Sequence, residues 1–210
     1  MDKNKLAIDV FDSRAKEYAS KYMDVSQYKR SAKVFCDELD KINPDILEVA
    51  CGPGNMTKHL LETRPDLSIL ATDLSTNMLA LAKENNPTAT FQLLDSRKIQ
   101  SLNQSFDGVF SGFCLPYLSQ KETIDFIDDT YKILNTQGII YISTMEGKYA
   151  ASRLEKSSDG KSEVYVYYHE KRFLIETMEK VGFEIIFSER LPQPTPFGAS
   201  VNDVVVIGKK

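Results

Sequence analysis

Between Asp45 and Glu146 the chain alternates short apolar runs with segments of helical period, and that alternation admits very few folds. DILEVA (45–50) is an apolar run ending at the turn CGPGN, the pattern of a buried strand entering a glycine loop. From about Met56 to Arg64 the pattern is helical, and Pro65 stops it. LSILATD (67–73) reads as a second strand, and STNMLALAKENN (75–86) as its following helix with Ser75 at the N-cap. TATFQLLD (88–95) is a third strand and FDGVFSGFCL (106–115) a fourth. In KETIDFIDDTYKILN (121–135), Ile124, Ile127, Tyr131 and Leu134 share one helical face, and GIIYISTME (138–146) is the fifth strand. Strands and helices alternating at this spacing specify an α/β, doubly wound, parallel sheet with helices on both faces.

The final third follows another pattern. KSEVYVYYHE reads as an extra strand and HEKRFLIETMEKVGF as a helix ending at Gly182. FEIIFSERL and NDVVVIGKK are two more strands, joined by LPQPTPFGAS, which has no room for a crossover helix. So short a connection forces antiparallel pairing, and a mostly parallel, seven-stranded sheet ending in a hairpin is expected. The 210 residues suffice for one well-buried core and fall short of two full-sized domains, so 1–210 reads as one domain. Within it, 1–40 is expected to form a helical cap over a ligand site, and 146–170 an insertion near that site.

ILEVACGPGNMTKHL resembles the glycine-rich first motif of class I S-adenosylmethionine-dependent methyltransferases. The family pattern is an acid followed by x-Gly-x-Gly-x-Gly; here it reads Glu48-Val-Ala50-Cys51-Gly52-Pro-Gly54, with Ala50 replacing the first glycine by another small residue. The resemblance runs in motif order from about Asp45 to Gly147. It implies S-adenosyl-L-methionine as cofactor, with the Ala50–Gly54 loop and Glu48 serving its methionine end. It also implies an N-terminal helix folded over the cofactor, with Tyr18 or Tyr22 reaching the carboxylate, and Ser111 beside the reactive methyl.

The residues carry physical reasons of their own. Gly52 and Gly54 let the backbone turn sharply and a ligand approach without a Cβ in the way. The helix that follows points free N–H groups at the same crevice, which suits an anionic group. Glu48 is placed to accept from a ligand amino group, directly or through water. Asp73, 25 residues further on, can take both hydroxyls of a ribose. Asp95 is placed to accept from an adenine amino group with Ser96 beside it, while Leu74 and Met78 pack against the purine. A helix cap is the plainer reading of Asp73, and a turn acid that of Asp95.

Several rival readings share parts of this pattern. A nicotinamide-binding domain wants a third glycine where Thr57 stands, and leaves Glu48 without a role. Nucleic-acid amino-methylases carry an Asn/Asp/Ser-Pro-Pro-aromatic motif where this chain has Ser111-Gly-Phe-Cys-Leu-Pro116-Tyr117. With 26 Lys and Arg against 30 Asp and Glu, the net charge of −4 also argues against phosphate-backbone binding. The alternatives to a small-molecule methyltransferase are a nucleic-acid or protein methyltransferase, or a non-catalytic binder of the same cofactor. A hydroxyl acceptor would need a general base, and His169 is the candidate, His59 lying on the outer face of its helix. Acceptor contacts are expected from the N-terminal helices, 113–119, 146–165 and LPQPTPFGAS, with Tyr149, Tyr165, Tyr167 and Phe197 suggesting an apolar or aromatic acceptor. Phe113, Leu115 and Tyr117 read equally as core or as pocket wall.

Cys36, Cys51 and Cys114 form no CxxC pair, and the two histidines are far apart with no acid cluster, so neither disulfides nor a metal site are expected. The start lacks an apolar leader and no apolar run approaches the roughly 18 residues of a membrane span. A cytoplasmic location without membrane association is therefore expected. Oligomeric state has no signature in the sequence.

Overall fold

The computed structural model describes residues 3–156, 160, 162–193 and 201–210. Its main sheet holds β1 (Asp45–Val49), β2 (Ser68–Asp73), β3 (Thr90–Leu93), β4 (Phe106–Gly112), β5 (Leu134–Met145), β8 (Glu184–Gln193) and β9 (Val201–Lys209) in the order β3-β2-β1-β4-β5-β9-β8. The first five strands pair in parallel, and β9 is antiparallel to both β5 and β8. The expected terminal hairpin is present, and it is inserted so that β9 rather than β8 meets β5.

Strand parity divides the core in two. Ile46, Tyr141, Val205 and Ile207 face one side, packed against α3 (Lys29–Asp37), α4 (Asn55–Thr63) and α5 (Thr76–Asn85). Their neighbours Leu47, Ile140, Ile142, Val204 and Val206 face the other, packed against α6 (Gln120–Ile133) and α7 (Lys171–Val181). Consecutive residues buried on opposite faces are why these strands read as continuous apolar runs rather than alternating ones.

Helix ends follow local chemistry. Ser119 and Glu122 form a capping box at the start of α6, and Gly182, at φ 118°, closes α7 in the left-handed conformation. β5 begins at Leu134, four residues before the expected start, with a register shift against β4 between Phe106 and Gly108. The extra strand expected within 161–170 is not part of the main sheet. As β7 (Glu163–Val166) it pairs with β6 (Arg153–Lys156) in a separate two-stranded sheet. That hairpin backs α1 (Lys3–Ser13), with the Lys3 ammonium 3.4 Å from the centre of the Tyr165 ring. Among the described residues no helix is long and apolar enough to cross a membrane.

Candidate active site

β1 and β4 are neighbours, with Val49 opposite Ser111, and each is followed by a non-glycine residue in the left-handed region: Ala50 at φ 57° and Phe113 at φ 60°. Such strain persists where the surroundings impose it, and here it turns both chains away to open a crevice at the strand ends. A cavity of about 480 Å³ fills the crevice, with walls reaching from Asp95, beyond β3, to Asp203 on β9. The roof is α1 with α2 (Ala15–Tyr22), which supply Ala7, Ile8, Phe11, Tyr18 and Tyr22. Edge contacts chain Tyr117 to Phe11 and Phe11 to Tyr18, and the Tyr18 and Tyr22 rings lie 4.6 Å apart.

The glycine loop is held by the carboxylate of Asp73. Its Oδ2 accepts from Gly52 N–H at 2.9 Å and its Oδ1 from Ser75 N–H at 2.8 Å, while burial holds its pKa above the usual range. Ser75 in turn caps α5, accepting from Met78 N–H. A Cβ on Gly52 would meet only Tyr18, at 3.9 Å, so the space over the loop is open to a ligand. Asp73, Leu74, Met78, Leu94, Asp95 and Ser96 form one end of the cavity wall. The Tyr18 hydroxyl is pushed up to about 12 by burial, then by Tyr22 and Asp73.

Glu48 lies elsewhere than expected. It is 2% exposed, absent from the cavity wall, and accepts from the Thr57 hydroxyl at 2.6 Å. A threonine in place of the dinucleotide-type glycine thus gives the acid an internal partner, and Glu48 braces the loop from behind. Burial raises its pKa to about 8, against an ordinary 4.5. Between those values the native state holds one more proton than the unfolded chain, so this group lowers stability as pH rises. Glu48→Gln is expected to remove that slope, gaining roughly 3 to 5 kcal/mol over wild type above pH 8 and little below pH 4.5. Urea midpoints at pH 5 and pH 8.5 check it; equal pH slopes in the two proteins would rule it out.

Other expected residues are also displaced from the cavity. Asp95 does reach the wall, but Arg97 engages both its oxygens, at 2.6 Å for Nη2, and also pairs with Glu122. Burial alone would raise the Asp95 carboxyl; Arg97 outweighs it and holds the pKa low. Ser111 is fully buried inside β4, and Cys51 borders only a side pocket of about 60 Å³. His169 is no base for this cavity. It is fully buried in a bridge with Glu146, its Nε2 3.1 Å from the carbonyl oxygens of Leu115 and Leu118, and burial lowers its pKa. Two carbonyl partners require Nε2 to carry the proton, so the ring pins the 115–118 segment. His59, Tyr149 and Tyr165 are half-buried and Tyr167 is buried, all outside the wall; in the 146–170 insertion Tyr149 stacks on Tyr167 and Tyr165 meets Tyr167 edge-on. Phe197 lies outside the described residues.

Asp12 escaped the sequence reading because charged residues of both signs surround it. It fastens the roof: its carboxylate accepts from Ser75 Oγ at 2.7 Å and from Asn77 N–H at 3.0 Å, at the N-terminus of α5. The Asn77 N–H, then the Ser75 hydroxyl, hold its pKa low, as a helix N-terminus favours the anion. Asp12→Ala raises helix propensity in α1 yet is expected to free the roof. Faster tryptic cleavage within 14–21 and a several-fold loss of cofactor affinity should follow; unchanged cleavage would show that Asp12 does not fasten it.

The sheet order, the glycine loop after β1 and the antiparallel β9 define the class I, Rossmann-like, methyltransferase fold. Residues 46–138 match the family described as methyltransferase domain. The malonyl-[acyl-carrier protein] O-methyltransferase of Acetivibrio thermocellus is 32% identical over 139 residues, 64% of this chain and 47% of that protein. The trans-aconitate 2-methyltransferase of Variovorax paradoxus is 28% identical over 103 residues, 49% of this chain and 39% of that protein. The chain spans less than half the length of these curated relatives. The magnesium protoporphyrin IX methyltransferase from Synechocystis with bound SAH has a TM-score of 0.73 at 14% identity, covering 100% of both chains. The chain thus has the class I methyltransferase fold, and its residues 46–138 resemble a methyltransferase domain.

Proposed function

We propose that the chain transfers the methyl group of S-adenosyl-L-methionine to a small-molecule acceptor. The observation that carries this is the extent of the cavity, which runs past the glycine loop and Asp73 in both directions. One end has a ribose-competent carboxylate beside Leu74, Met78 and Leu94, fitting a nucleoside; the other opens beyond Phe113 toward β5 and β9 and fits a second molecule. The methyl on the cofactor's sulfonium is activated by that positive charge, so the protein's work is binding, alignment and exclusion of water. Asp73 would hold the ribose, Ser96 and the apolar residues beside it the adenine, and Gly52 with Tyr18 and Tyr22 the amino-acid end. The aromatic roof would keep water from the reacting atoms. The names of the relatives, for malonyl and trans-aconitate acceptors, support small molecules rather than nucleic acid. The buried, free thiols of Cys36, Cys51 and Cys114 accord with a reducing, cytoplasmic setting.

Calorimetric titration with S-adenosylmethionine and S-adenosylhomocysteine, with NAD as control, tests the cofactor. A micromolar Kd, about −8 kcal/mol, is expected for both sulfur compounds. Binding of NAD in their place would overturn the reading. Label from the methyl donor should then appear on members of a small-molecule library; cofactor binding without transfer to any acceptor would leave a cofactor-binding protein only.

A further inference from the structure

At the end of the cavity away from Asp95, two residues separated by 175 positions meet. The Tyr28 hydroxyl donates to Asp203 Oδ2 at 2.6 Å, a charge-assisted bond, and both side chains line the cavity. Asp203 is 4% exposed and stands on β9 directly across from Met145, the last residue of β5. The Tyr28 ring meets the Phe113 ring edge-on at 5.4 Å. Burial, then the Asp203 carboxylate, holds the Tyr28 hydroxyl far above the usual phenol range, so the phenol keeps the proton that it donates to Asp203.

The sign of the whole wall is the second observation. Among the described residues that line it, the charged ones are Asp24, Asp73, Asp95 and Asp203, and none is Lys, Arg or His. Arg97, which is not among the wall residues, is bound to Asp95 at the opposite end. A carboxylate acceptor placed here would lose its hydration and, among the described wall residues, meet carboxylates rather than a cation. A cation would gain Asp203 together with two aromatic rings.

We infer that the acceptor is an amine, bound as its ammonium by Asp203, with Tyr28 as the residue that positions the Asp203 carboxylate. This rests on the methyltransferase reading above and names its acceptor class. For transfer, the ammonium proton passes to Asp203, freeing the nitrogen lone pair. The N–CH₃ bond then forms as the CH₃–S bond of the sulfonium donor breaks, with that electron pair remaining on sulfur; Asp203 afterwards releases its proton to water.

The test uses benzylamine, benzyl alcohol and phenylacetate, titrated into the full chain saturated with S-adenosylhomocysteine. Benzylamine should bind at least about tenfold more tightly than phenylacetate. In Asp203→Asn that preference should vanish while affinity for S-adenosylhomocysteine stays within about threefold, which also shows that the variant is folded. Tyr28→Phe should weaken benzylamine several-fold and keep the order of the three probes. Phenylacetate binding as well as benzylamine, no preference among the three, or a preference that survives Asp203→Asn would each overturn the inference. Failure of the wild-type protein to bind S-adenosylhomocysteine at all would instead bring down the cofactor reading beneath it.

Discussion

Gly54→Ala is expected to destabilise the protein by roughly 3 to 5 kcal/mol, far more than the same change two residues earlier. Gly54 sits at φ 79° as the N-cap of α4, where a Cβ is strained whatever the space. That Cβ would also collide with Asn86 Nδ2 and stand 3.1 Å from the backbone Cα of Ala82. Asn86 cannot swing aside cheaply. It is buried, and its amide donates to Gly54 O at 2.9 Å and Ala82 O at 3.2 Å, so moving it gives up two buried hydrogen bonds. Gly52→Ala meets nothing nearer than 3.9 Å and should cost only the left-handed backbone, about 1 kcal/mol, while weakening ligand binding because its Cβ faces Tyr18 across the open space. Urea denaturation of both variants separates the cases; similar losses would show that the close approach of α5 to the loop is not what requires glycine.

Asp73→Ala is expected to raise the Kd for S-adenosylhomocysteine at least about 100-fold, near 2.7 kcal/mol, with a smaller loss of stability, about 1 to 2 kcal/mol. The carboxylate has two employments on the same atoms. It accepts the N–H groups of Gly52 and Ser75, which sets the loop, and its remaining lone pairs face the cavity, where ribose hydroxyls would donate to a charged acceptor. Asp73→Asn keeps the shape and one acceptor oxygen, so it should fall between wild type and Asp73→Ala in both measurements. Paired calorimetry and denaturation curves distinguish the employments. Loss of stability without loss of affinity would make Asp73 a loop brace and nothing more.

Much of this protein is legible in its sequence, for reasons that act over a few residues. β1, β2, β4 and β5 announce themselves because strands buried on both faces must be apolar throughout, and the helices between them carry a single apolar stripe. The loop at Gly52 and Gly54 is legible because backbone that turns left-handed beside a packed helix tolerates little else. Asp73 is legible because it follows a strand end, and in a parallel sheet all such ends face one crevice. Where the reading failed, a side chain's partner came from far along the chain. His169 looked like a base because histidine titrates near neutrality, yet its ring is enclosed by the carbonyls of Leu115 and Leu118, 54 and 51 residues away. Glu48 looked like a ligand group because of its place in the motif, yet strand parity turns it from the cavity to Thr57. The insertion at 146–170 reads as lying near the acceptor, and its described strand β7 packs against α1, part of the cavity roof.

Local patterns of hydrophobicity, glycine and acid therefore determined the doubly wound architecture, the terminal hairpin and the cofactor end of the crevice. The tertiary structure alone decided the other end. Only the placing of β9 beside β5, antiparallel, brings Asp203 level with Met145 and within reach of Tyr28. Sequence patterns report which face of an element is buried; the order in which strands join the sheet is settled by packing between elements far apart in the chain, and that order assembles the second half of the cavity.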